Sequence, residues 1–158
     1  LCAAPNGVQA YCPDMPELVQ TSLNLGIAKL GDRFTATFSV RSSVNAEKEG
    51  LITKLKELAD FYNGTYSQSG TYPAWEFKKD SRLRDVMVPI YTRMFGKEPK
   101  VLAIHAGLEC GLLGDKLPGL DCVSIGPQMH DIHTSREKLE IASTKRTWDF
   151  LLEVLKAL

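Results

Sequence analysis

The strongest constraint on the fold is the alternation of apolar and polar side chains over residues 18–41. The alternation runs from Leu18 to Leu30, stops at Gly31-Asp32, and resumes from Phe34 to Arg41. Because successive side chains of a strand point to opposite faces of a sheet, this pattern predicts two strands with one apolar face each. The short polar break predicts a tight turn and hence an antiparallel hairpin. The predicted apolar face carries Val19, Thr21, Leu23, Leu25, Ile27, Phe34, Ala36, Phe38 and Val40.

A helical pattern follows the hairpin. Apolar side chains recur at helical spacing from Leu51 to Tyr62, which predicts an amphipathic helix. Ser43 or Asn45 can cap its start, and Asn63-Gly64 is typical of its end. The stripe consists of Leu51, Ile52, Leu55, Leu58, Ala59 and Tyr62.

The flanking segments indicate half of a known motif. Residues 1–17 are rich in Pro, Gly and Asn, which predicts a loop with a short strand at Val8–Tyr11. The aromatic segment Thr65–Glu76 predicts a strand near 65–71. The order strand, strand, helix, strand is that of the second half of a ferredoxin-like β-α-β-β-α-β unit. Its first half would precede Leu1, so we expect the chain to be a fragment of a longer protein.

The second part of the sequence predicts a module of the order helix, strand, strand, helix, which is typical of the edge of an α/β sheet. We expect an α+β (α/β) fold in two parts, with one module over residues 1–72 and a second over residues 73–158. The predicted elements are a helix from Leu83 to Met94 that contains Pro89, buried strands at Lys100–His105 and Cys122–Ile125, and a helix from Ser135 to Leu158.

Composition excludes several classes of protein. The 158 residues are 44% apolar and 24% charged, as in an ordinary globular protein. Lys plus Arg equals Asp plus Glu at 19 each, so charge predicts neither nucleic acid nor an anionic membrane as a partner. No apolar run approaches the ~20 residues that span a bilayer. The four cysteines form no Cys-x-x-Cys pair and are expected to be reduced thiols, as in cytosolic proteins.

The segment His105-Ala-Gly-Leu-Glu-Cys-Gly111 is the first candidate site. It follows a predicted buried strand, and ligands of α/β sheets bind beyond the carboxyl ends of strands. Gly107 lets backbone approach a ligand closely, and Glu109 offers a carboxylate. The alternative is a glycine-rich turn with solvated side chains.

The segment Gly126-Pro-Gln-Met-His-Asp-Ile-His-Thr134 is the second candidate site. Thr134 and Glu137 match a capping box, which would place His133 immediately before a helix, on the rigid support that a metal ligand needs. A loop histidine is more often an ordinary surface residue. A zinc site needs three or more protein ligands, so these residues alone do not complete one.

Arg41 is the third candidate. It ends the polar face of the second hairpin strand, where a guanidinium can bind a carboxylate through two hydrogen bonds. On spacing alone, a solvated arginine on an exposed sheet is the more frequent case.

Taken in order, these motifs resemble the aminoacyl-histidine dipeptidases (Xaa-His dipeptidases), a branch of the M20 zinc metallopeptidases. The residues that carry the resemblance are Ala4-Pro-Asn-Gly7, Val19-Gln-Thr-Ser-Leu-Asn-Leu-Gly26, Ser39-Val-Arg-Ser-Ser43, His105-Ala-Gly-Leu-Glu-Cys-Gly111, Gly126-Pro, and Asp131-Ile-His-Thr134. The resemblance implies a catalytic α/β domain that holds two zinc ions and is interrupted by a ferredoxin-like lid, with homodimer formation through the lid.

The resemblance also implies roles for four residues. Arg41 matches the lid arginine that binds the carboxylate of a small peptide substrate. Gly107 and Glu109 belong to a loop that lines the substrate pocket, and His133 matches the last zinc ligand. The remaining zinc ligands and the general base would precede Leu1. We therefore expect no catalytic residue in this chain, weak or absent zinc binding, no activity of the fragment alone, and a cytoplasmic parent enzyme.

Two alternatives remain open at this stage. The chain could be a stand-alone, non-catalytic binding or dimerisation module of M20 descent. It could also come from another M20 peptidase or aminoacylase. An upstream His-x-Asp motif with acidic ligands would distinguish the enzyme from the module.

Overall fold

The computed structural model describes residues 1–104 and 109–158. Helices and antiparallel strands occupy separate stretches of the chain, so the predicted α+β class is confirmed. The strands are β1 Gly7–Cys12, β2 Met15–Leu30, β3 Phe34–Ser42, β4 Met129–His130 and β5 Lys138–Leu139. The helices are α1 Asn45–Phe61, α2 Arg82–Phe95, α3 Glu109–Lys116 and α4 Ile141–Ala157.

The three long strands form one antiparallel sheet in the order β1-β2-β3. The predicted hairpin is therefore confirmed, with Leu23 opposite Val40 and Thr21 opposite Ser42. The register shifts between Leu25 and Ile27, which leaves Gly26 as an extra residue of a bulge. Leu23 is only 2% exposed and Leu25 and Val40 are half-buried, whereas Phe34 is 51% exposed, so the predicted apolar face is buried only around Leu23. After the bulge Ile27 pairs with Thr37 and is 50% exposed, so its predicted place on the apolar face is wrong.

Helix α1 packs beside β3, but neither Ser43 nor Asn45 caps it, so that prediction is wrong. The N-cap residue is Val44, whose side chain has no acceptor. Instead, the carboxylate of Glu76 accepts a hydrogen bond of 3.0 Å from the backbone N–H of Asn45. An acceptor 31 residues away in sequence thus satisfies one of the free N–H groups at the helix start.

The strand predicted near 65–71 does not form. Three hydrogen bonds of residues 66–74 are made within the segment or to α1. The Tyr66 hydroxyl donates to Gln68 at 2.8 Å, the Lys48 ammonium donates to the carbonyl of Tyr72, and the Asn45 side chain accepts from the N–H of Ala74 at 2.9 Å. Aromatic residues gave the segment strand propensity, but β-propensity depends on a neighbouring strand.

The chain divides into two compact units. The first unit comprises residues 1–77 and 102–118 and contains the three-stranded sheet, α1 and α3. The second unit comprises residues 78–101 and 119–158. Its core lies between α2 and α4, and is formed by Met87, Ile90, Phe150 and Val154.

Three predictions for the second half are wrong. Neither 100–104 nor 122–125 forms a strand, and Leu102 is 71% exposed. A short apolar run forms a strand only when a neighbouring strand binds its backbone groups, and these described residues have no such ladder. The last helix begins at Ile141, six residues later than predicted, because β5 occupies Lys138–Leu139 and pairs with β4.

Candidate functional site

Arg41 lies on the solvent-facing side of the sheet, opposite Ser22 of β2. Two pairs further along, Ser39 lies opposite Asn24. Together these four side chains form a polar face, because residues two apart on a strand point to the same side. An open cavity of about 390 Å³ occupies this face and is lined by Asn6, Gly7, Val8, Ser22, Leu23, Asn24, Ser39 and Arg41.

The cavity is suited to an anionic group. Arg41 supplies a permanently charged guanidinium with several N–H donors, while Asn24 and Ser39 add an amide and a hydroxyl. The Oδ1 atom of Asn6 accepts a hydrogen bond of 3.2 Å from the backbone N–H of Leu25, which fixes the orientation of the Asn6 amide at the cavity wall. These donors can bind a carboxylate through charge-assisted hydrogen bonds.

The sequence patterns predicted a role for Arg41 but none for Asn6 or Asn24, although both asparagines lie within motifs that carry the resemblance. The alternation contains the signal for Asn24, because Leu23 and Leu25 on the apolar face place Asn24 on the opposite face, with Arg41. Asn6 could not be found in this way, because it reaches the cavity only through the pairing of β1 with β2, whose register shifts three times.

His133 lies in the turn between β4 and β5, not at the start of a helix. The predicted capping box is wrong, because the hydroxyl of Thr134 accepts from the N–H of Arg136 at 3.1 Å within this turn. Glu137 accepts a hydrogen bond of 2.8 Å from the backbone N–H of His133. His133 has a φ of 65° and Asp131 a φ of 50°, so both adopt the left-handed conformation that is uncommon outside glycine.

Glu109 is the first residue of α3 and is exposed. Gly107 and His105, which precede it in the same motif, lie outside the described residues. Gly111, further along α3, packs tightly against the segment that follows α1. A Cβ atom at Gly111 would lie 3.0 Å from the carbonyl oxygen of Pro73 and 3.4 Å from Cβ of Trp75.

The candidate site residues do not form a complete metal site among the described residues. Within residues 1–104 and 109–158, no group of three or more His, Cys, Asp and Glu side chains could hold a metal ion. His133 offers one imidazole, whereas zinc sites use at least three protein ligands. The described residues therefore do not fit a zinc site on their own.

Known proteins resemble this chain in sequence and in fold. A curated relative, the cytosol non-specific dipeptidase of Escherichia coli (strain K12), is 34% identical over 157 residues, which cover 99% of this chain and 32% of the relative. The crystal structure of the aminoacylhistidine dipeptidase from Vibrio alginolyticus is 31% identical and superposes with a TM-score of 0.88, covering 99% of this chain and 32% of that one.

A more distant structure has the same fold. The aminopeptidase PepT from Bacillus cereus is 17% identical, with a TM-score of 0.73 over 97% of this chain and 42% of that protein. No family model matches the chain.

These comparisons confirm the resemblance that the sequence motifs indicated: the chain is similar to dipeptidases. It spans about a third of the length of the relative and of the Vibrio structure. In the described part of the chain, no helix is both long and apolar enough to cross a membrane.

Proposed function

We propose that these 158 residues form the part of a zinc-dependent M20 dipeptidase that binds the substrate carboxylate and supplies one zinc ligand. The observation that carries this proposal is similarity over 99% of the chain to proteins described as dipeptidases. Hydrolysis of Xaa-His dipeptides is the proposed specificity, supported by the description of the Vibrio structure as an aminoacylhistidine dipeptidase. A cytoplasmic location is proposed from the description of the Escherichia coli relative as a cytosol enzyme.

In this proposal Arg41 binds the carboxylate of the dipeptide. The supporting geometry is the polar cavity, in which Asn24 and Ser39 add hydrogen-bond donors beside the guanidinium. Two parallel N–H···O bonds from one guanidinium fix the orientation of a carboxylate as well as its position. A substrate held in this way presents its peptide bond at a constant distance from its terminus, as a dipeptidase requires.

Gly107 and Glu109 are proposed to line the substrate pocket, and His133 is proposed as a zinc ligand. The other ligands of the two zinc ions and the general base are expected to come from residues outside this sequence, because the described residues hold no ligand cluster. Residues 1–72 are proposed to belong to a lid that forms a homodimer, and residues 73–158 to the catalytic domain.

The experiment that tests the function uses the full-length protein that contains this sequence. We expect zinc-dependent hydrolysis of β-alanyl-histidine, loss of turnover in a chelator, and recovery when zinc is restored. A polypeptide of residues 1–158 alone serves as the control, and we expect it to bind no stoichiometric zinc and to turn over no dipeptide. Turnover by the 158-residue polypeptide, or none by the full-length protein with zinc, would contradict the proposal.

A non-catalytic module of M20 descent is the competing function. The gene sequence before Leu1 distinguishes the two, since the enzyme requires an His-x-Asp motif and acidic ligands there. The similarity to PepT supports the shared fold only and does not favour an aminopeptidase.

A further inference from the structure

A buried polar network joins the end of the β2–β3 ladder to the first turn of α1. Thr21 and Ser42 are each only 2% exposed, and their hydroxyl oxygens lie 2.7 Å apart across the two strands. Glu47 bridges this pair to the helix. One carboxylate oxygen accepts from the Thr21 hydroxyl, and the other accepts from Nε2 of Gln20 at 2.6 Å.

The same network fixes the backbone between β3 and α1. The N–H of Ser43 donates to the carbonyl of Gln20 at 3.0 Å, which extends the ladder by one bond. The N–H of Val44 donates to the Ser42 hydroxyl oxygen at 3.0 Å, and that hydroxyl lies 2.9 Å from the carbonyl oxygen of Val44. Glu47 therefore lies at the centre of a cluster that connects two strands and a helix.

The network lies one residue pair away from Arg41. Thr21 pairs with Ser42, and the next pair along the ladder is Ser22 with Arg41. Because side chains alternate between faces, Ser42 points to α1 while Arg41 points to the cavity. A slip of one residue in this ladder would exchange the two faces and move Arg41 out of the cavity.

The polar side chains of Thr21, Ser42 and Glu47 contribute more to the register of β2 against β3 than to the free energy of unfolding. An intramolecular hydrogen bond contributes little net free energy to folding, because the same groups bind water in the unfolded chain, and apolar side chains of similar size could fill the same space. Apolar contacts are non-directional, however, and the last two pairs of the ladder, Thr21 with Ser42 and Ser22 with Arg41, lie beyond the apolar pair Leu23 with Val40 and contain no apolar side chain. Hydrogen bonds that are satisfied in one arrangement specify that arrangement.

We propose that Glu47 is a positioning residue for Arg41: by binding Thr21 and Gln20, it holds the end of β3 in the register that keeps the guanidinium in the carboxylate cavity. The proposal rests on the proposed function only for the identity of the bound group. The positioning itself involves Glu47, Thr21, Ser42 and Arg41, all within the first compact unit.

The test compares Glu47→Leu with Glu47→Gln in the full-length protein. Leucine leaves Thr21 and Gln20 without their acceptor, whereas glutamine keeps one acceptor oxygen and adds a donor. Two controls on the same helix are Glu57→Leu, an exposed site, and Leu51→Ala, which destabilises the helix at a buried position without removing a network atom.

The first readout is the NMR signal of the Arg41 side-chain Nε–H in arginine-labelled protein, assigned by its loss in Arg41→Lys. We expect it to shift and broaden in Glu47→Leu and to stay near its native position in Glu47→Gln and both controls. The second readout is the split between KM and kcat for β-alanyl-histidine. We expect KM to rise about tenfold in Glu47→Leu with kcat within about twofold, since misplacement of a binding group weakens substrate binding.

The proposal is wrong if Glu47→Leu lowers the melting temperature as Leu51→Ala does while the Arg41 signal and KM stay native. It is also wrong if Glu47→Gln is as impaired as Glu47→Leu. The proposed function and the proposed positioning role can fail independently. A full-length protein without dipeptidase activity refutes the function, whereas the Arg41 signal still tests the positioning by Glu47.

Discussion

Glu137 Oε2 accepts a hydrogen bond of 2.8 Å from the backbone N–H of His133, a residue whose φ is 65°. A left-handed conformation costs a non-glycine residue roughly 1–2 kcal/mol, so it persists where surrounding contacts hold it. The Thr134 hydroxyl reinforces the same turn by donating to the carbonyl of Asp131 at 2.7 Å. The conformation of the proposed zinc ligand thus depends on a carboxylate four residues later.

Replacing Glu137 tests this dependence. In Glu137→Ala we expect the amide hydrogen of His133 to exchange with solvent about fivefold faster, because a hydrogen bond of about 1 kcal/mol no longer opposes local opening. Glu137→Gln keeps an acceptor oxygen and should exchange at nearly the native rate. Hydrogen exchange measured by NMR provides the comparison, and equal rates in the two variants would show that the turn does not need this acceptor.

We expect Asp121 to make the stability of the second unit depend on pH. Burial raises the pKa of its carboxyl, but hydrogen bonds from the Leu83 N–H and the Ser81 hydroxyl, with the charges of Lys78 and Arg84, outweigh it and leave the pKa below its ordinary value. A lowered folded-state pKa stabilises the fold fully above the unfolded-state pKa of about 4, and this contribution is lost as pH falls through the folded-state pKa.

We therefore expect the free energy of unfolding of the wild-type protein to fall more steeply below about pH 4 than that of Asp121→Asn. At neutral pH the variant should be about 1 kcal/mol less stable, since it weakens the cap of α2. Urea unfolding at a series of pH values gives both numbers. Parallel pH profiles for the two proteins would mean that Asp121 does not contribute to the acid sensitivity.

The sheet could be predicted from the sequence because its signal is local. The period of two predicts both strands, and Gly31-Asp32 marks their turn. The pattern does not show the bulge at Gly26, which depends on the pairing of β2 with β3. Helix α1 was predictable for the same reason, although its cap was not. The acceptor for Asn45 is Glu76, and no pattern within the helix indicates a partner so far along the chain.

The wrong predictions share a physical cause. Residues 65–71 and 122–125 have strand propensity, but propensity does not provide a neighbouring strand, and pairing is decided by tertiary contacts. The predicted start of α4 was wrong because Thr134 and Glu137 match the capping pattern in sequence. In the structure their side chains bind within the turn between β4 and β5. Arg41 could be predicted as a site residue from the alternation along β3. Asn6 could not, because its place at the cavity depends on the register of β1 against β2.

Arg41 should control the affinity for substrate. In the full-length protein, Arg41→Ala is expected to raise KM for β-alanyl-histidine by roughly 10–100-fold, because hydrogen bonds to a charged group contribute about 1.5–3 kcal/mol. Arg41→Lys keeps the charge but loses the two-pronged geometry, so we expect only partial recovery. The check is steady-state kinetics with the dipeptide and its C-terminal amide. If Arg41→Ala leaves the preference for the free acid unchanged, the carboxylate is bound elsewhere.

Replacing Gly111 or Gly114 of α3 with alanine should change the free energy of unfolding in opposite directions. Alanine is normally better than glycine in a helix by about 0.5–1 kcal/mol. At Gly114 an added Cβ atom meets nothing within 4 Å, so Gly114→Ala should stabilise the protein by about that amount. At Gly111 the same atom would lie 3.0 Å from the carbonyl oxygen of Pro73, which belongs to backbone and cannot turn away.

We therefore expect Gly111→Ala to destabilise the protein by roughly 1–3 kcal/mol, the usual cost of overpacking, despite the gain in helix propensity. Denaturant unfolding of the two variants, each against wild type, measures the difference. Because α3 begins at Glu109, displacement of the helix at Gly111 should also be transmitted to that proposed pocket residue, and KM should change in Gly111→Ala but not in Gly114→Ala. Equal stabilisation by both alanines would show that the contact between α3 and Pro73 is not tight in solution.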